Sequence, residues 1–246
     1  MISVFKKFVS LNRSICIYLE KHFSNFFMGS RSYTKDLNNL IRHSIENLQP
    51  LRILEVGGID RPLLSKSGHY KYIGLDIDSN DSCYSIYDEF IVQSIEDEVD
   101  DAVELVISTT LLEHVPDNKK SFRSMHKVLL DDGYMHHYVP SKNHPYSLIL
   151  RLVGPKLQKI LIKYLRPHAE EVTGYPAFFN LCTVSQMRKE LLLIGFKDIK
   201  ITPYYKATDY FAFFVPAYLF VAILENIFEY TGQTWAASGM IISAKK

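Results

Sequence analysis

The 246-residue sequence has little cysteine, no long block of one charge and no internal repeat. Three cysteines, Cys16, Cys83 and Cys182, are too few and too far apart for a disulfide framework or a metal knuckle, and they predict free thiols in a reducing cytoplasm. A formal net charge of +1 without a basic run argues against a nucleic-acid-binding surface. Hydrophobic residues make up 47% of the chain, which excludes a disordered protein and allows a sizeable core.

The first 27 residues are apolar in places, but Lys6, Lys7 and Arg13 interrupt them and no small-residue cleavage site follows. A secretory signal is therefore not expected. The apolar spacing predicts an amphipathic helix, which either packs on the domain or its ligand or contacts a membrane surface. The apolar positions of this predicted helix are Ile15, Leu19, Phe23 and Phe26. We interpret residues 1–34 as an N-terminal helical extension of a larger domain, residues 35–246.

The body of the chain alternates between short β-rich runs and segments with helical periodicity. Such alternation predicts an α/β fold with a mostly parallel, doubly wound sheet and helices on both faces. One predicted helix lies in the segment 117–133, with Asp117 or Asn118 as its N-cap, and another at 184–195 is capped by Thr183. The predicted strands are 52–57, 70–78, 89–94, 103–109, 133–140, 196–205 and 236–245.

In a doubly wound sheet, ligands bind beyond the carboxyl ends of the strands, so those ends hold the candidate binding residues. The first predicted strand ends at Glu55-Val56-Gly57-Gly58, and the two glycines allow a close approach of a ligand to the backbone. Asp76 ends the second strand about 20 residues later, where a carboxylate can accept hydrogen bonds from both ribose hydroxyls. This order of residues favours an adenosine-containing ligand.

The stretches "ILEVGG", "YIGLDID", "VELVISTTLLEHVPD" and "LLDDGYMHHYVPS" resemble class I S-adenosylmethionine (SAM)-dependent methyltransferases, within the group that carries an L-E-H motif after the fourth strand. The resemblance covers roughly residues 35–205, with a final strand near 236–244. It implies a Rossmann-like sheet of seven strands, the last antiparallel and paired with the sixth, and SAM as the cofactor. The sequence also resembles, in general character, methyltransferases of bacterial glycan and cell-surface gene clusters.

The resemblance implies a role for each residue that matches one of the family's motifs. Glu55, Gly57 and Gly58 match the motif beside the methionine part of the cofactor, and Asp76 with Ile77 matches the ribose-binding position. Ser94 and Ile95 stand where the family often has an acid that reads the adenine amine, so that contact is expected from the hydroxyl, the backbone or Glu96. The cofactor-facing end of the fourth strand is matched by Ser108, Thr109 and Thr110.

The first motif departs from the family pattern, because Ile59 or Asp60 stands where another glycine is usual. About a dozen residues separate Gly58 from the second strand, so the first helix is expected to shrink to one or two turns, with Pro62 at its start. The alternative class, an NAD-dependent oxidoreductase, would need G-x-G-x-x-G opening a full helix. A catalytically inactive, methyltransferase-like binding module is the other alternative, and it would be expected to lack Asp76 or the glycines.

Methyl transfer to an activated sulfonium requires mainly alignment of the acceptor, and a hydroxyl acceptor also requires removal of a proton. His114, Tyr138 and His144 are the candidate catalytic residues, with His144 best placed on the loop after the fifth strand. Alternation sends His136 and Tyr138 to one face of that strand and His137 to the other. The pair Glu113-His114 is similar to a metal site of some related enzymes, but Thr110 replaces a further acid there, so no metal is predicted.

The acceptor is expected to be a small molecule, a sugar or a lipid-linked glycan methylated on oxygen, bound by helical insertions at about 141–182 and 207–232. The basic residues Lys156, Lys159, Lys163 and Arg166 either form a solvated helix face or meet phosphate or an anionic membrane. Within residues 209–230, the uncharged run Tyr210–Leu224 is too short for a spanning helix, and Pro216 interrupts it. This segment either covers the sheet and acceptor pocket as a buried helix, or its exposed aromatic face rests in the lipid interface with the basic residues of 156–166 beside it, and we hypothesise the second. The aromatic residues behind this hypothesis are Phe211, Phe213, Phe214, Tyr218 and Phe220.

Overall fold

The structure is a computed structural model that describes residues 2–27, 29, 31–48, 52–59, 61–165 and 175–246. The chain forms two compact units, each assembled from separated stretches of sequence. The first unit contains residues 1–32, 141–177 and 203–239, and the second contains residues 33–140, 178–202 and 240–246. The predicted N-terminal extension therefore shares one compact unit with most of both predicted insertions.

A seven-stranded sheet is built from β1 (Arg52–Val56), β2 (Lys71–Asp76), β3 (Glu89–Val92), β4 (Val103–Thr109), β5 (Leu129–Pro140), β6 (Lys197–Tyr204) and β7 (Gly239–Lys245). The strand order is β3-β2-β1-β4-β5-β7-β6. Strands β1 to β5 pair in parallel. Strand β7 runs antiparallel to β5, because Ser141 at one end bonds Ser238 while Lys246 at the other end bonds Gly133. The predicted Rossmann-like fold with an antiparallel last strand is confirmed.

The central strands are buried along almost their whole length, as expected of a parallel sheet that is covered on both faces. In β4, five of the seven residues are buried, and Val106 and Ile107 are fully inaccessible. Leu54 of β1 lies between Ile73 of β2 and Val106 of β4 in the paired register. The order of the sheet reverses at β1 and β4, so the carboxyl ends of these two strands flank the topological switch point.

The helices of the second unit are α3 (Tyr33–Leu48), α4 (Cys83–Ile86), α5 (Asn118–Val128) and α7 (Val184–Ile194). The Asp117 side chain caps α5 by accepting from the amides of Lys119 and Lys120, at 3.0 and 3.3 Å. The Thr183 hydroxyl caps α7 by accepting from the Gln186 amide, so both predicted N-caps are confirmed.

The segment between β1 and β2 contains less regular secondary structure than the sequence predicted. Its described residues, 57–59 and 61–70, form turns and one isolated bridge between Ser67 and Tyr70, with no helical turn among them. Pro62 opens no helix there, in contrast to the one or two turns that the sequence predicted. Hydrogen bonds to the end of β1, described below, hold this segment instead.

The first unit contains α1 (Ile2–His22), α2 (Ser24–Phe27), α6 (Pro145–Leu165) and α8 (Val215–Thr231), with short 3₁₀ turns on either side of α8. Its apolar core joins residues from all four helices and from the first 3₁₀ turn. Gly154 interrupts α6 with a non-helical backbone (φ 73°, ψ 162°). The core residues are Cys16, Phe27, Tyr146, Phe211, Ala212, Tyr218, Val221 and Ala222.

The α1 helix forms as predicted, and of its four predicted apolar positions Leu19 is the one that packs against the core. Val9, Asn12 and Cys16 are buried, whereas Ile15 is 40% exposed. Phe23 and Phe26, which follow α1, are also exposed. The helix is apolar on more than one side, and periodicity alone does not identify which apolar side is buried.

The aromatic residues of segment 209–230 divide between core and surface. Phe211 and Tyr218 are buried at 6% and 0% exposure, whereas Phe214 and Phe220 are 43% and 62% exposed. Pro216 lies in the first turn of α8, where its missing amide costs no hydrogen bond, so it does not interrupt the helix. None of the helices in the described ranges combines the length and hydropathy needed to cross a bilayer.

Candidate functional site

The carboxyl end of β1 continues into two glycines, Gly57 and Gly58, at positions that have no room for a side chain. Gly57 has a φ of +82°, and its amide donates to the Leu75 carbonyl of β2 at 2.8 Å. A Cβ placed on Gly57 would lie 2.7 Å from Cδ1 of Leu111. A Cβ on Gly58 would lie 2.3 Å from the Tyr87 hydroxyl. The turn therefore requires glycine at both positions, for backbone conformation at the first and for space at both.

Glu55 anchors this turn from beneath. Its carboxylate accepts hydrogen bonds from the hydroxyls of Tyr72 and Tyr87, and from the Leu63 amide at 3.1 Å. Burial raises the pKa of Glu55 to about 7, although these hydrogen bonds oppose the increase. Because the same carboxylate binds the Leu63 amide next to the end of β1, Glu55 positions the glycine turn. A direct contact between Glu55 and the cofactor stays a prediction. No sequence motif identifies Tyr72 or Tyr87 as a hydrogen-bond partner of Glu55, so the sequence alone did not reveal these contacts.

Asp76 stands at the end of β2, the strand beside β1, and its side chain is only partly buried. One carboxylate oxygen accepts from the Asp78 amide at 3.1 Å, which orients the group. Burial raises the pKa of Asp76, and the backbone hydrogen bonds oppose that increase. The adjacent Ile77 is 64% exposed and supplies an apolar surface next to the carboxylate. This combination of a carboxylate and an apolar side chain is suited to a ribose and its attached base.

The end of β3 leads to Ser94, Ile95 and Glu96. The Ser94 hydroxyl is partly buried and accepts from the Glu96 amide at 3.1 Å, while Ile95 is 4% exposed. The Glu96 carboxylate accepts from the Asp117 amide at 2.8 Å, just before α5. Glu96 thus holds the start of α5, and the Ser94 hydroxyl donates to the same carboxylate at 3.4 Å.

The end of β4 contains the predicted trio Ser108, Thr109 and Thr110. Ser108 is fully buried, and its hydroxyl lies 2.7 Å from Nδ1 of His137 on β5. Thr110 is exposed and has a φ of +50°, and its amide donates to the Tyr138 carbonyl at 3.0 Å. Thr109 and Thr110 therefore reach the surface at the strand end, whereas Ser108 supports the sheet from inside.

The Leu112-Glu113-His114 stretch follows β4 directly. The Glu113 carbonyl accepts from the amides of Phe178 and Phe179, and its carboxyl group is buried. Glu113 Oε1 lies 3.7 Å from His114 Nε2, while Oε2 has no hydrogen-bond partner within the described part of the chain. Burial raises the pKa of Glu113 to about 8. The described residues contain no group of three or more His, Cys, Asp and Glu side chains arranged for a metal ion, and the absence of a metal stays a prediction.

Replacement of Glu113 is expected to change how stability depends on pH. A carboxyl group with a raised pKa stabilises the fold fully below its unfolded pKa near 4.3, and this contribution is lost as the pH rises towards about 8. Between pH 6 and 7 the free energy of unfolding should fall by about 1 kcal/mol more for the wild type than for Glu113→Gln. Denaturant unfolding of the ligand-free protein at several pH values measures this difference.

Glu46→Gln, at an exposed position on α3, is the matched control and should leave the pH profile unchanged. Comparison with the wild type cancels the contribution of the other buried groups, among them His136 and His137, whose pKa values burial lowers to about 4 and about 3. Parallel profiles for Glu113→Gln and the wild type would contradict a buried, protonated Glu113.

The histidines and the tyrosine of β5 alternate between the two faces of the sheet as predicted. His136 lies 2.7 Å from the Ser44 hydroxyl of α3, and Tyr138 stacks on Tyr33 of the same helix with ring centroids 3.7 Å apart. His137 contacts Ser108 of β4 instead. Tyr138 is 8% exposed, so its ring is largely covered by Tyr33, a contact that the sequence did not reveal.

His144 lies in the first unit and is buried, with 1% of its side chain exposed. Its Nε2 is 3.1 Å from Oε1 of Glu225, and its Nδ1 accepts from the Tyr146 amide at 3.4 Å. The same Glu225 oxygen accepts from the Ala207 amide at 2.7 Å. Both ring nitrogens are engaged, so the catalytic role of His144 stays a prediction that would require the ring to leave Glu225.

The residues of the second unit fit the expected cofactor. A side chain in the glycine turn would collide with Leu111 or Tyr87, Asp76 offers a carboxylate for a ribose diol, and Thr109 and Thr110 present polar atoms beyond β4. These groups stand at the ends of β1, β2 and β4, which are neighbours in the sheet. The predicted strand-end residues lie at the ends of neighbouring strands and their contacts with the cofactor stay a prediction, whereas His144 belongs to the other unit.

Residues 31–200 match a family model described as a methyltransferase domain. Comparison with curated proteins finds no match to this chain. A solved structure with the same fold is the plantazolicin methyltransferase BamL, in complex with a triazolic desmethylPZN analogue and SAH. It is 9% identical with a TM-score of 0.51, and the match covers 99% of this chain and 98% of that one.

A second solved structure is the CurJ carbon methyltransferase, 15% identical with a TM-score of 0.51. The match covers 86% of this chain but only 53% of that one, so this chain spans about half the length of that structure. A SAM-dependent methyltransferase from Archaeoglobus fulgidus is 14% identical over 94% of this chain and 99% of that one, with a TM-score of 0.48.

Proposed function

The chain belongs to the methyltransferase-domain family that its residues 31–200 match, and from this premise we propose that it methylates an oxygen atom of a small-molecule, sugar or lipid-linked glycan acceptor. It is a SAM-dependent methyltransferase; family membership disfavours the oxidoreductase, and the retained Gly57, Gly58 and Asp76 disfavour the inactive binding module. The observation that carries the cofactor assignment is the glycine turn at the end of β1 beside the partly buried Asp76 at the end of β2.

We propose the following division of roles around the cofactor, which supplies an already activated methyl group when bound. Asp76 accepts hydrogen bonds from the ribose hydroxyls, and Ile77 packs against the base. Gly57 and Gly58 bring the backbone close to the methionine part, in a turn held by Glu55. The hydroxyl of Ser94 and the backbone of Ile95 contact the adenine edge, while Thr109 and Thr110 close the site at the end of β4.

Proton removal from a hydroxyl acceptor needs a base that the acceptor can reach. Of the three candidates, His114 has the most accessible side chain, with 34% exposed, whereas Tyr138 is covered by Tyr33 and His144 is buried with Glu225. We therefore propose His114 as the first candidate for the base, beside the buried carboxyl group of Glu113. Tyr138 then borders the acceptor and His144 stabilises the first unit.

The acceptor class rests on the resemblance to the L-E-H group and to enzymes of glycan and cell-surface clusters. The stretch Leu112-Glu113-His114 occupies the position of that motif after β4. A cytoplasmic location is part of the same proposal, because the three cysteines are free thiols, as in a reducing compartment.

Calorimetric titration with SAM tests the cofactor assignment, and radiolabelled SAM mixed with lipid-linked glycans or free sugars tests the acceptor. We expect one SAM per chain and label transferred to base-stable ether linkages on the acceptor. Failure to bind SAM at about 1 mM would contradict the function itself, since that limit corresponds to only about 4 kcal/mol of binding free energy. SAM binding with transfer to nitrogen or carbon would contradict only the oxygen acceptor.

A further inference from the structure

The α1 helix exposes a continuous apolar stripe on the side of the helix next to its buried face. The stripe residues recur at i, i+4, i+7, i+11 and i+14, which places them on one face over about 21 Å of helix. Their side chains are between 40% and 71% exposed. The residues of this stripe are Val4, Phe8, Leu11, Ile15 and Tyr18.

The α8 helix exposes a second apolar stripe, whose residues recur at i, i+1, i+4, i+8 and i+11 and so also share one helix face. Its buried face is formed by Tyr218, Val221, Ala222 and Glu225. The exposed side chains are Leu219, Phe220, Ile223, Ile227 and Tyr230. Phe8 of the α1 stripe and the exposed Phe214, which directly precedes α8, lie with ring centroids 6.4 Å apart, so exposed apolar surface links the α1 stripe to the beginning of α8. Scattered exposed apolar residues need no explanation, but two joined stripes form a patch that marks an interaction surface.

The charges around this patch are positive. Residues 2–22 contain four basic residues, Lys6, Lys7, Arg13 and Lys21, and one acid, Glu20, and Arg13 is paired with Asp209 at 2.9 Å. Helical geometry places Lys7 beside the α1 stripe on its polar side, with Lys21 beyond it on the same side, and both are exposed.

The acids of the two helices are engaged in other contacts. Glu20 accepts from the Tyr218 hydroxyl at 2.9 Å, Glu225 is buried with His144, and Glu229 lies 3.4 Å from Lys206. The patch is therefore apolar with a cationic border on α1.

We propose that the α1 and α8 stripes dock the protein on the surface of an anionic lipid bilayer. An apolar stripe with basic residues along its border is the pattern of a helix that lies in the membrane interface. An anionic surface attracts each such lysine, and the apolar side chains enter the boundary between headgroups and acyl chains. Docking needs no spanning segment, in agreement with the helix lengths and hydropathy above.

A second copy of the chain fits the same patch less well. A two-fold symmetric contact would place the α1 patch against itself, so the cationic border of one copy would face that of the other. Like charges in direct apposition oppose such a contact, whereas an anionic bilayer complements them.

This surface differs from the one that the sequence suggested. The aromatic segment 209–230 was paired with basic residues around 156–166, of which Lys156 is exposed in the structure. The side chains of Lys159 and Lys163 and all of Arg166 lie outside the described residues. The cationic partner of the aromatic segment is α1, whose sequence signal was ambiguous because the helix is apolar on two sides.

Sedimentation with sucrose-loaded vesicles of phosphatidylglycerol and phosphatidylcholine, compared with pure phosphatidylcholine, tests the proposal. We expect binding to the anionic vesicles that weakens as salt is added. Leu11→Asp should lower the partition coefficient at least about tenfold, because a leucine leaves the interface and a charge enters it. Lys7→Glu should lower it roughly tenfold as well.

The matched control is Ile17→Asp, on the same helix and at the same exposure, 61% against 62% for Leu11, but facing away from the stripe. It should bind vesicles like the wild type. Equal losses for both variants, or no binding to anionic vesicles, would overturn the proposal. A dimer that Leu11→Asp dissociates in sedimentation velocity, without vesicle binding, would assign the patch to a second copy instead.

The proposal is independent of the methyl-transfer chemistry, although membrane docking would bring the enzyme to a lipid-linked acceptor. SAM affinity measured without vesicles should be unchanged in Leu11→Asp, because α1 lies outside the unit that holds the glycine turn and Asp76. Vesicle binding and cofactor binding are therefore measured separately, and a negative result for one does not contradict the proposal that the other tests.

Discussion

Gly57→Val is expected to abolish measurable SAM binding. Gly57 has a φ of +82°, a conformation that is a genuine outlier for a β-branched residue, and its Cβ would lie 2.7 Å from Leu111. Backbone strain and displacement of Leu111 together should cost at least about 3 kcal/mol of binding free energy, more than a hundredfold in affinity. Leu111 follows the end of β4, so its displacement also disturbs the opposite wall of the site.

Calorimetric titration measures the loss, and circular dichroism establishes that the variant is folded. Gly68→Val is the matched control in the same segment, because a Cβ there meets no atom within 4 Å. This control should bind SAM like the wild type. A folded Gly57→Val variant that retains SAM binding would remove the glycine turn from the cofactor site.

Asp76→Ala is expected to weaken SAM binding by roughly 1.5–3 kcal/mol, since two ribose hydroxyls would lose a charged acceptor. The carboxylate is already oriented by the Asp78 amide, so little ordering is needed when the ribose binds. Asp76→Asn should fall between alanine and the wild type, because the amide retains one acceptor and loses the charge. The same titration measures all three proteins.

Asp78→Ala is the control for charge, because it removes an exposed acid two residues away and leaves the backbone amide in place. Its SAM affinity should stay close to that of the wild type. If Asp76→Ala binds SAM as tightly as the wild type does, the ribose ligand is another residue.

The parts of the fold that local chemistry determines were predictable from the sequence. The caps Asp117 and Thr183 act on amides two or three residues ahead, and the apolar runs of β1 and β4 identify buried strands by themselves. The order of elements also determined the parallel sheet and the edge at which the strand-end residues meet. For these features the sequence predictions and the structure agree.

Features that depend on distant partners were not predictable. His144 is buried by Glu225, which lies 81 residues later, and Tyr138 is covered by Tyr33 from the start of α3. Nothing near His144 in the sequence indicates that partner, so its loop position alone made it a candidate base. The anchoring of Glu55 by Tyr72 and Tyr87 is equally non-local.

The first unit assembles from stretches of sequence that are far apart, and this affects how the chain folds as it is synthesised. The Asn12 side chain accepts from the Val215 amide at 2.9 Å, a contact across 203 residues. At roughly 5–20 residues per second, the ribosome needs about 10–40 s to make α8 after α1 has been completed. During that interval the buried side of α1 lacks its native partner on α8, while its exposed stripe is already accessible. We therefore expect nascent chains that end before residue 203 to carry α1 as a ligand for chaperones or nearby lipid, and to become resistant to proteolysis there only after α8 has emerged.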